Sequence, residues 1–106
     1  MAPDASPHTL AVTIERFGEK CLLGCAGDLA GSGCSFLVAQ VTEALPGSKV
    51  IELDLERVEF VDSMGLGTLV RLHRTCKEAG CRLLLVNVNG RIRELLNLTN
   101  LHGVFV

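Results

Sequence analysis

The apolar residues of this chain switch repeatedly between two spacings, and this alternation limits the folds that it can adopt. Strand-type runs, apolar at every position or at every second one, occupy residues 9–17, 21–25, 50–55 and 82–86. Between them, apolar residues recur every three or four positions, as on the buried side of a helix, at residues 34–45 and 66–76. Strands and helices that alternate in this way build a mainly parallel sheet with right-handed crossovers.

Turn and cap signals complete the predicted order, which is β-β-α-β-α-β-α-β. Gly18 and Glu19 form a tight turn, so the first two strands are expected to be an antiparallel hairpin. The run RLLLV at 82–86 has the composition of a strand that is buried on both faces. Asn89 is placed to cap a third helix, and residues 101–106 predict a final strand. We therefore expect an α/β fold: a mixed β-sheet of an N-terminal hairpin plus parallel strands, with helices packed against it.

The two central helices have recognisable ends. Pro46 and Gly47 follow the first helical segment, and a proline at this point cannot continue the helix. The second helix ends at Gly80, a residue suited to the left-handed conformation of a helix C-terminus. The predicted apolar side of this second helix consists of Leu66, Leu69, Val70, His73 and Cys76.

Length and composition fit one domain and exclude several classes of function. A chain of 106 residues holds a single domain, here 9–106, after a flexible N-terminal tail at 1–8. The formal charge of -2 and the lack of Trp and Tyr argue against nucleic-acid binding. No apolar run approaches the roughly 20 residues of a membrane span, and the N-terminus does not resemble an export signal. We therefore expect a cytoplasmic protein without membrane insertion.

The cysteines are predicted to be buried, reduced thiols. They number five, at positions 21, 25, 34, 76 and 81, and an odd count without an export signal argues against a disulfide framework. No CxxC occurs, and His8, His73 and His102 are scattered, so neither a metal site nor another cofactor is expected. The alternative, an enzyme or redox protein with a reactive cysteine, requires a thiol of lowered pKa.

Two loops at the carboxyl ends of predicted strands are the places where such folds carry function. The first, AGDLAGSG at 26–33, lacks both GxGxxG and GK[ST], so it is weak evidence for phosphate binding. Phe36 follows it and lies off the apolar side of the first helix, where it is either exposed to a partner or tucked under a loop. The second is the junction VEFVDSMGLGT at 58–68, where a strand-type run gives way to a helix at Asp62 and Ser63.

Asp62 and Ser63 have two interpretations. The first N–H groups of a helix lack partners within it, and a Ser or Asp side chain that accepts from them stabilises the helix by about 1 kcal/mol. In the second interpretation Ser63 is phosphorylated: a helix N-terminus accommodates the added charge of about -1.5 to -2, so the surface changes while the domain stays folded. Gly65 and Gly67 would let a partner approach closely, and they cost helix stability, which capping alone leaves unexplained.

Catalysis by Ser63 is not expected. A serine hydrolase requires a GxSxG-type turn and a histidine that reaches the serine. Here Asp62 and Met64 flank the serine, and the histidines stand in the tail, in the same helix and near the C-terminus. We therefore predict no catalytic residue.

The segment from residue 58 to 101 resembles the second half of a STAS domain, specifically that of the bacterial anti-sigma factor antagonists. It has an apolar strand, a D-S-[small or apolar]-G-[aliphatic] motif at 62–66, and then a helix, a strand and a helix. Gly27-Asp28-Leu29 matches three of the four positions of the G-[DE]-L-[DS] turn that follows the second strand in this family. The resemblance covers about residues 9 to 106.

The resemblance implies a protein-binding switch rather than an enzyme. In this family the unphosphorylated protein binds an anti-sigma factor with serine kinase activity and thereby frees a sigma factor. The kinase phosphorylates the serine at the position of Ser63, and a serine phosphatase resets the switch. Phe36 is included in the expected partner-binding surface for a separate reason, because it lies off the apolar side of the first helix. The complete expected surface consists of Asp28, Ser32, Phe36, Asp62, Ser63, Met64, Gly65 and Gly67.

Two departures from the family pattern concern partners. Ala30 stands at the fourth position of the turn, where Asp or Ser is usual, which would alter partner affinity or choice. The chain stops at Val106, where many relatives carry one more amphipathic helix, so part of the sheet edge or face is expected to be exposed, which a partner, a second copy in a homodimer or a shortened chain would account for. The alternative function for the same fold is a STAS scaffold, or a ligand- or lipid-transport-associated module, that acts without phosphorylation.

Overall fold

The computed structural model describes residues 10–98, and its elements follow the predicted order. They are β1 (Leu10–Phe17), β2 (Lys20–Leu29), α1 (Ser32–Ala44), β3 (Val50–Val61), α2 (Ser63–Glu78), β4 (Arg82–Val86) and α3 (Gly90–Leu98). The predicted tail at 1–8 and the predicted final strand at 101–106 lie outside the described residues.

The four strands form one mixed sheet in the order β1-β2-β3-β4. β1 and β2 are antiparallel and are joined at Gly18, whose φ is 63°. β2 pairs with β3, and β3 with β4, in parallel. One face of this sheet is buried with residues of all three helices in a single cluster that is almost entirely aliphatic, with cysteines among its members. The predicted α/β class and the mixed sheet are confirmed.

Two strands are longer than the sequence pattern predicts. β2 includes residues 26–29, which were predicted to be loop, and β3 continues well past residue 55. The parallel pairing accounts for both extensions, since Asp28 pairs with Phe60 near the ends of the two strands. The register shifts between Gly24 and Ala26 and again between Gly27 and Asp28, and each shift adds a residue to β3, so the buried positions of β3 beyond residue 55 are three residues apart instead of two. Periodicity therefore could not reveal these strand ends.

The buried side of α2 differs in part from the predicted one. Val70 and His73 are half-buried, whereas Thr68 and Leu72, which the prediction omitted, are buried. The Thr68 hydroxyl donates to the Met64 carbonyl at 2.9 Å, so its polar group is satisfied within the helix while the side chain faces the core. The complete set of buried residues in α2 is Gly65, Leu66, Thr68, Leu69, Leu72 and Cys76.

The predicted helix ends are confirmed. Leu45 is the C-cap of α1, directly before Pro46. Gly80 follows α2 with a φ of 75°, in the left-handed region. The Asn89 side chain accepts the N–H of Ile92 at 3.0 Å and so caps α3.

The prediction that β4 is buried on both faces is wrong for the part of the chain that the structure describes. Leu83 is buried, but the following three residues of β4 are only half-buried. The reason is its position at the end of the described strand order, where it pairs with β3 alone.

Residues 10–98 contain neither a membrane-spanning helix nor a cluster of metal ligands. None of the helices there is both long enough and apolar enough to cross a membrane. The same residues contain no group of three His, Cys, Asp or Glu side chains that could hold a metal ion.

Candidate functional site

The two predicted functional segments meet at the carboxyl end of the parallel strands. Leu29 ends β2 and pairs with Val61, which ends β3. α1 begins at Ser32 and α2 begins at Ser63, so two helix N-termini emerge from neighbouring strands. The fold therefore places the segment after β2 beside the Asp62-Ser63 junction.

Asp62 is the N-cap of α2. Its backbone is extended, with φ -99° and ψ -174°, and its side chain accepts the N–H of Gly65 at 2.8 Å. Its carbonyl accepts the N–H of Leu66 at 3.0 Å, which begins the helix. The capping interpretation is therefore correct for Asp62, and a single residue makes the cap.

Ser63 is the first residue of α2, and its side chain is exposed. Within residues 10–98 the Ser63 hydroxyl makes no hydrogen bond, and the N–H groups of Ser63 and Met64 have no partner there either. The first turn of α2 contains no acidic residue. An anion carried by Ser63 would thus lie beside unpaired N–H groups at the positive end of the helix dipole.

Gly65 and Gly67 differ in what surrounds them. A Cβ on Gly65 would collide with the carbonyl oxygen of Leu29 and would lie 2.9 Å from Cγ1 of Val61. Gly65 is buried and brings the first turn of α2 directly onto β2, so it lies beneath the predicted partner-binding surface. Gly67 is exposed, and a Cβ there would meet nothing within 4 Å.

A groove of about 310 Å³ runs between α1 and α2 on one side of Ser63. Met64, which is 58% exposed, forms part of its wall. Sequence reasoning identified Met64 but missed Ser35 and Arg71, although helical spacing carried a signal, since Met64, Thr68 and Arg71 recur at intervals of four and three. The complete lining is Gly31, Cys34, Ser35, Val38, Met64, Thr68 and Arg71.

A second, more apolar groove of about 300 Å³ lies between the end of β3 and α3. Phe60 is 48% exposed there, two residues before Asp62, and Leu95 forms part of the opposite wall. Arg91 donates to the carbonyl of Glu59 at 3.0 Å and so holds the start of α3 against β3. Sequence reasoning missed Phe60, because the irregular register at this end of β3 hides which side chains point outward.

None of the remaining predicted site residues is among those that line these two grooves. Asp28 is half-buried in β2 and pairs with Phe60, and Ser32 is exposed at the start of α1. Phe36 is half-buried in α1 and does not line the groove that Met64 shares, so its partner-binding role stays a prediction.

The cysteines are free and buried, as predicted. Burial, with a further contribution from the Asp54 carboxylate, raises the pKa of Cys25 to about 12. Burial and then the neighbouring Cys81 raise the pKa of Cys76 to about 12, and burial also raises the pKa of Cys81. These three thiols are protonated at neutral pH, whereas a reactive cysteine requires a lowered pKa.

Comparisons with known proteins give matches over most of the chain. The family model described as "Mlab, STAS domain" matches residues 12–106. The anti-sigma factor antagonist SpoIIAA in its unphosphorylated form is 21% identical, with a TM-score of 0.76 over 91% of this chain and 86% of that chain. The Bacillus cell fate determinant SpoIIAA in the phosphorylated form is 22% identical, with a TM-score of 0.71 over 90% of this chain and 87% of that chain.

Two further relatives carry the same fold. An anti-sigma factor antagonist from Mycobacterium paratuberculosis is 20% identical, with a TM-score of 0.76 over 94% of this chain and 86% of that chain. A sulfate transporter family protein from Wolinella succinogenes is 22% identical, with a TM-score of 0.72 over 80% of this chain and 70% of that chain. At these identities the likeness to solved structures shows the fold.

Proposed function

Because the chain belongs to the STAS domain family, we propose that it is an anti-sigma factor antagonist whose binding is controlled by phosphorylation of Ser63. The unphosphorylated chain binds an anti-sigma factor with serine kinase activity in the cytoplasm, and this frees a sigma factor. Phosphorylation of Ser63 by that kinase ends the binding, and a serine phosphatase restores it. The chain is a substrate and binding partner in this cycle, not an enzyme.

The observation that carries the proposal is the division of roles between Asp62 and Ser63. If the Ser63 hydroxyl capped α2, it would accept a backbone N–H of the first turn. The Asp62 side chain makes that bond instead, since it accepts the N–H of Gly65 at 2.8 Å. The Ser63 side chain instead points to solvent, in reach of a kinase. The cap and the phosphoacceptor are therefore separate groups, and modifying one leaves the other in place.

The surroundings of Ser63 explain how a phosphate would end binding. Exposed Met64 follows Ser63 directly and exposed Phe60 precedes it by three residues, and each of these two side chains lines one of the grooves. A partner that packs on these apolar side chains would have to bury the phosphate, and burying a charge without a paired partner is costly. The helix N-terminus accommodates the same charge when it faces solvent, so the fold persists while the binding surface is lost.

Partner capture by two variants tests the proposal. We expect Ser63→Ala to retain a kinase-type anti-sigma factor from the source cell's lysate, and Ser63→Asp to lose it. Thr42→Asp is the matched control, because Thr42 is an exposed hydroxyl residue on α1 and the substitution adds the same charge away from the junction. Equal capture of the same kinase by the Ala and Asp variants of Ser63 would contradict the proposal.

Phosphopeptide mapping tests the modified residue directly. Incubation with the captured kinase and ATP should add one phosphate to the tryptic peptide 58–71. Thr68 lies in the same peptide, but it is 1% exposed and its hydroxyl is bonded to the Met64 carbonyl. Ser63→Ala should therefore abolish the modification, and phosphate that persists in this variant would assign the site elsewhere.

The fold also fits the alternative of a STAS scaffold or transport-associated module, since a sulfate transporter family protein shares it. That alternative predicts a partner whose binding ignores both the charge and the hydroxyl at Ser63. Retention of a non-kinase partner by all three variants would favour it.

A further inference from the structure

The end of α2 places two cysteines next to each other. Gly80 takes a left-handed conformation, the N–H of Cys81 donates to the Cys76 carbonyl at 2.8 Å, and the N–H of Gly80 donates to the Lys77 carbonyl at 3.1 Å. At a helix end with this pair of hydrogen bonds, the residues at the positions of Cys76 and Cys81 commonly form a hydrophobic contact. In this chain both residues carry thiols.

The backbone hydrogen bond from Cys81 to Cys76 also limits the distance between the Cα atoms of these two residues. The bond itself measures 2.8 Å from N to O. Standard geometry adds about 2.4 Å from Cα to the carbonyl oxygen of Cys76 and about 1.5 Å from N to Cα of Cys81. The Cα atoms are therefore less than about 6.8 Å apart, which is within the usual range for a disulfide.

The side chains of the pair interact as well. Each of the two thiols influences the pKa of the other, Cys81 Sγ donates to the Arg82 carbonyl at 3.7 Å, and both residues are reduced. Their exposed fractions are 0% for Cys76 and 3% for Cys81. Cys21, which is also buried, lies close enough to influence Cys81 and is the competing partner for it.

The turn between the two cysteines gives reagents a route to them. Residues 77–80 are all exposed, so they contribute little to the core. Segments with few buried apolar contacts are the ones that open locally. Opening would bring both thiols into water, where they ionise at an ordinary pKa of about 8.5.

We propose that Cys76 and Cys81 form a dithiol site that a small-molecule disulfide, such as glutathione disulfide, oxidises to an intramolecular disulfide. One thiolate attacks the glutathione disulfide, releases one glutathione and forms a mixed disulfide. The second thiolate attacks the protein sulfur of that mixed disulfide and releases the second glutathione. The pair loses two electrons and two protons in total, one S–S bond forms, and one glutathione disulfide becomes two glutathione molecules.

This site is independent of the proposed switch at Ser63. A helix rises about 1.5 Å per residue, which separates Cys76 from Ser63 by about 20 Å. The two residues also lie at opposite ends of α2. Failure of one proposal therefore leaves the other standing.

Tryptic mapping of the purified full chain tests the site. The protein is incubated with glutathione disulfide at pH 8, its remaining thiols are alkylated, and the digest is analysed by mass spectrometry without reduction. We expect the peptides 75–77 and 78–82 to appear as one disulfide-linked species, which reduced glutathione converts back to two free thiols. Cys21, Cys25 and Cys34 lie together in a different peptide, 21–49, so a link to any of them has a different mass, and fragmentation of that species shows whether the linked residue is Cys21.

Two variants complete the test. Cys25→Ala is the matched control, because Cys25 is equally buried but is not placed beside Cys76, and this variant should form the same linked species. Cys81→Ala should leave Cys76 alkylated or joined to a single glutathione. The proposal is overturned if the wild-type digest shows all five cysteines alkylated, a stable mixed disulfide on Cys76 or Cys81, or a link between Cys21 and Cys81.

Discussion

Two glycines in the first half of α2 carry opposite predictions about stability, although one residue separates them. Gly65 is buried against β2, whereas Gly67 is exposed. Replacing each with alanine adds the same methyl group and the same gain in helix propensity, which is about 1 kcal/mol. Any difference between Gly65→Ala and Gly67→Ala therefore reports what the methyl group meets.

The structure gives the size of that difference. At Gly67 the methyl group meets nothing within 4 Å, so Gly67→Ala should raise the free energy of unfolding by about 1 kcal/mol. At Gly65 it collides with the Leu29 carbonyl oxygen, a backbone atom that cannot swing aside as a side chain can. The start of α2 must then lift from β2, and overpacking of this kind typically costs about 1–3 kcal/mol. The gain in helix propensity offsets about 1 kcal/mol of this cost, so we expect Gly65→Ala to be destabilised by up to about 2 kcal/mol, which separates the two variants by about 1–3 kcal/mol.

Urea unfolding followed by far-UV circular dichroism measures both values, and it suits a chain without Trp. The slope of unfolding free energy against urea should be the same for the wild type and both variants, since a changed slope would indicate a changed denatured state. A Gly65→Ala protein that is as stable as Gly67→Ala would refute the reasoning. It would mean that the first turn of α2 does not rest on the end of β2.

Three further predictions use the same unfolding assay. Asp62→Ala removes the N-cap of α2 and should lower the free energy of unfolding by about 1 kcal/mol, while Ser63→Ala should change it by less than about 0.5 kcal/mol. Equal losses of stability in the two variants would mean that both residues cap the helix. The Arg16 guanidinium donates to the carbonyls of Gly18, Ala44 and Pro46 at 3.2, 3.1 and 3.1 Å. Arg16→Ala should therefore lower the free energy of unfolding by about 1 kcal/mol, because it frees the end of α1 from the hairpin. An unchanged free energy of unfolding would contradict this. Burial raises the pKa of Cys25 from 9.0 to about 12, so as the pH rises the unfolded chain loses this proton before the folded chain does. The free energy of unfolding should therefore be constant below about pH 9 and fall as the pH rises towards 12. A free energy of unfolding that stays constant between about pH 9 and 12 would contradict the assigned burial.

The order of elements and the mixed sheet could be predicted because each element carries its own local signal. Spacing distinguishes strands from helices, and Gly18, Gly80 and Asn89 mark turns and ends by their own conformational preferences. The extension of β2 through residues 26–29 has no such signal. It depends on pairing with β3, whose register shifts between Gly27 and Asp28, and this is a property of two strands together.

In the candidate site, too, some assignments follow from local sequence and others depend on contacts between distant segments. The D-S-x-G motif locates Asp62 and Ser63, but only the hydrogen bond to Gly65 shows which of the two is the cap. The position of Gly65 beneath the surface depends on the Leu29 carbonyl, which is far away in the sequence. Contacts between distant segments decide these assignments, so no local pattern predicts them.

Gly67 is the residue whose presence the fold leaves unexplained. It lies inside α2, where glycine costs about 1 kcal/mol relative to alanine, and neither close packing nor a positive φ requires it there. A partner that approaches the helix backbone beside Met64 would require it, because a methyl group at this position would hold the partner away. The proposed binding function therefore predicts that Gly67→Ala is more stable than the wild type yet weaker in anti-sigma factor binding, which isothermal titration calorimetry with the purified partner would measure. Unchanged affinity in this stabilised variant would place the partner elsewhere on the domain.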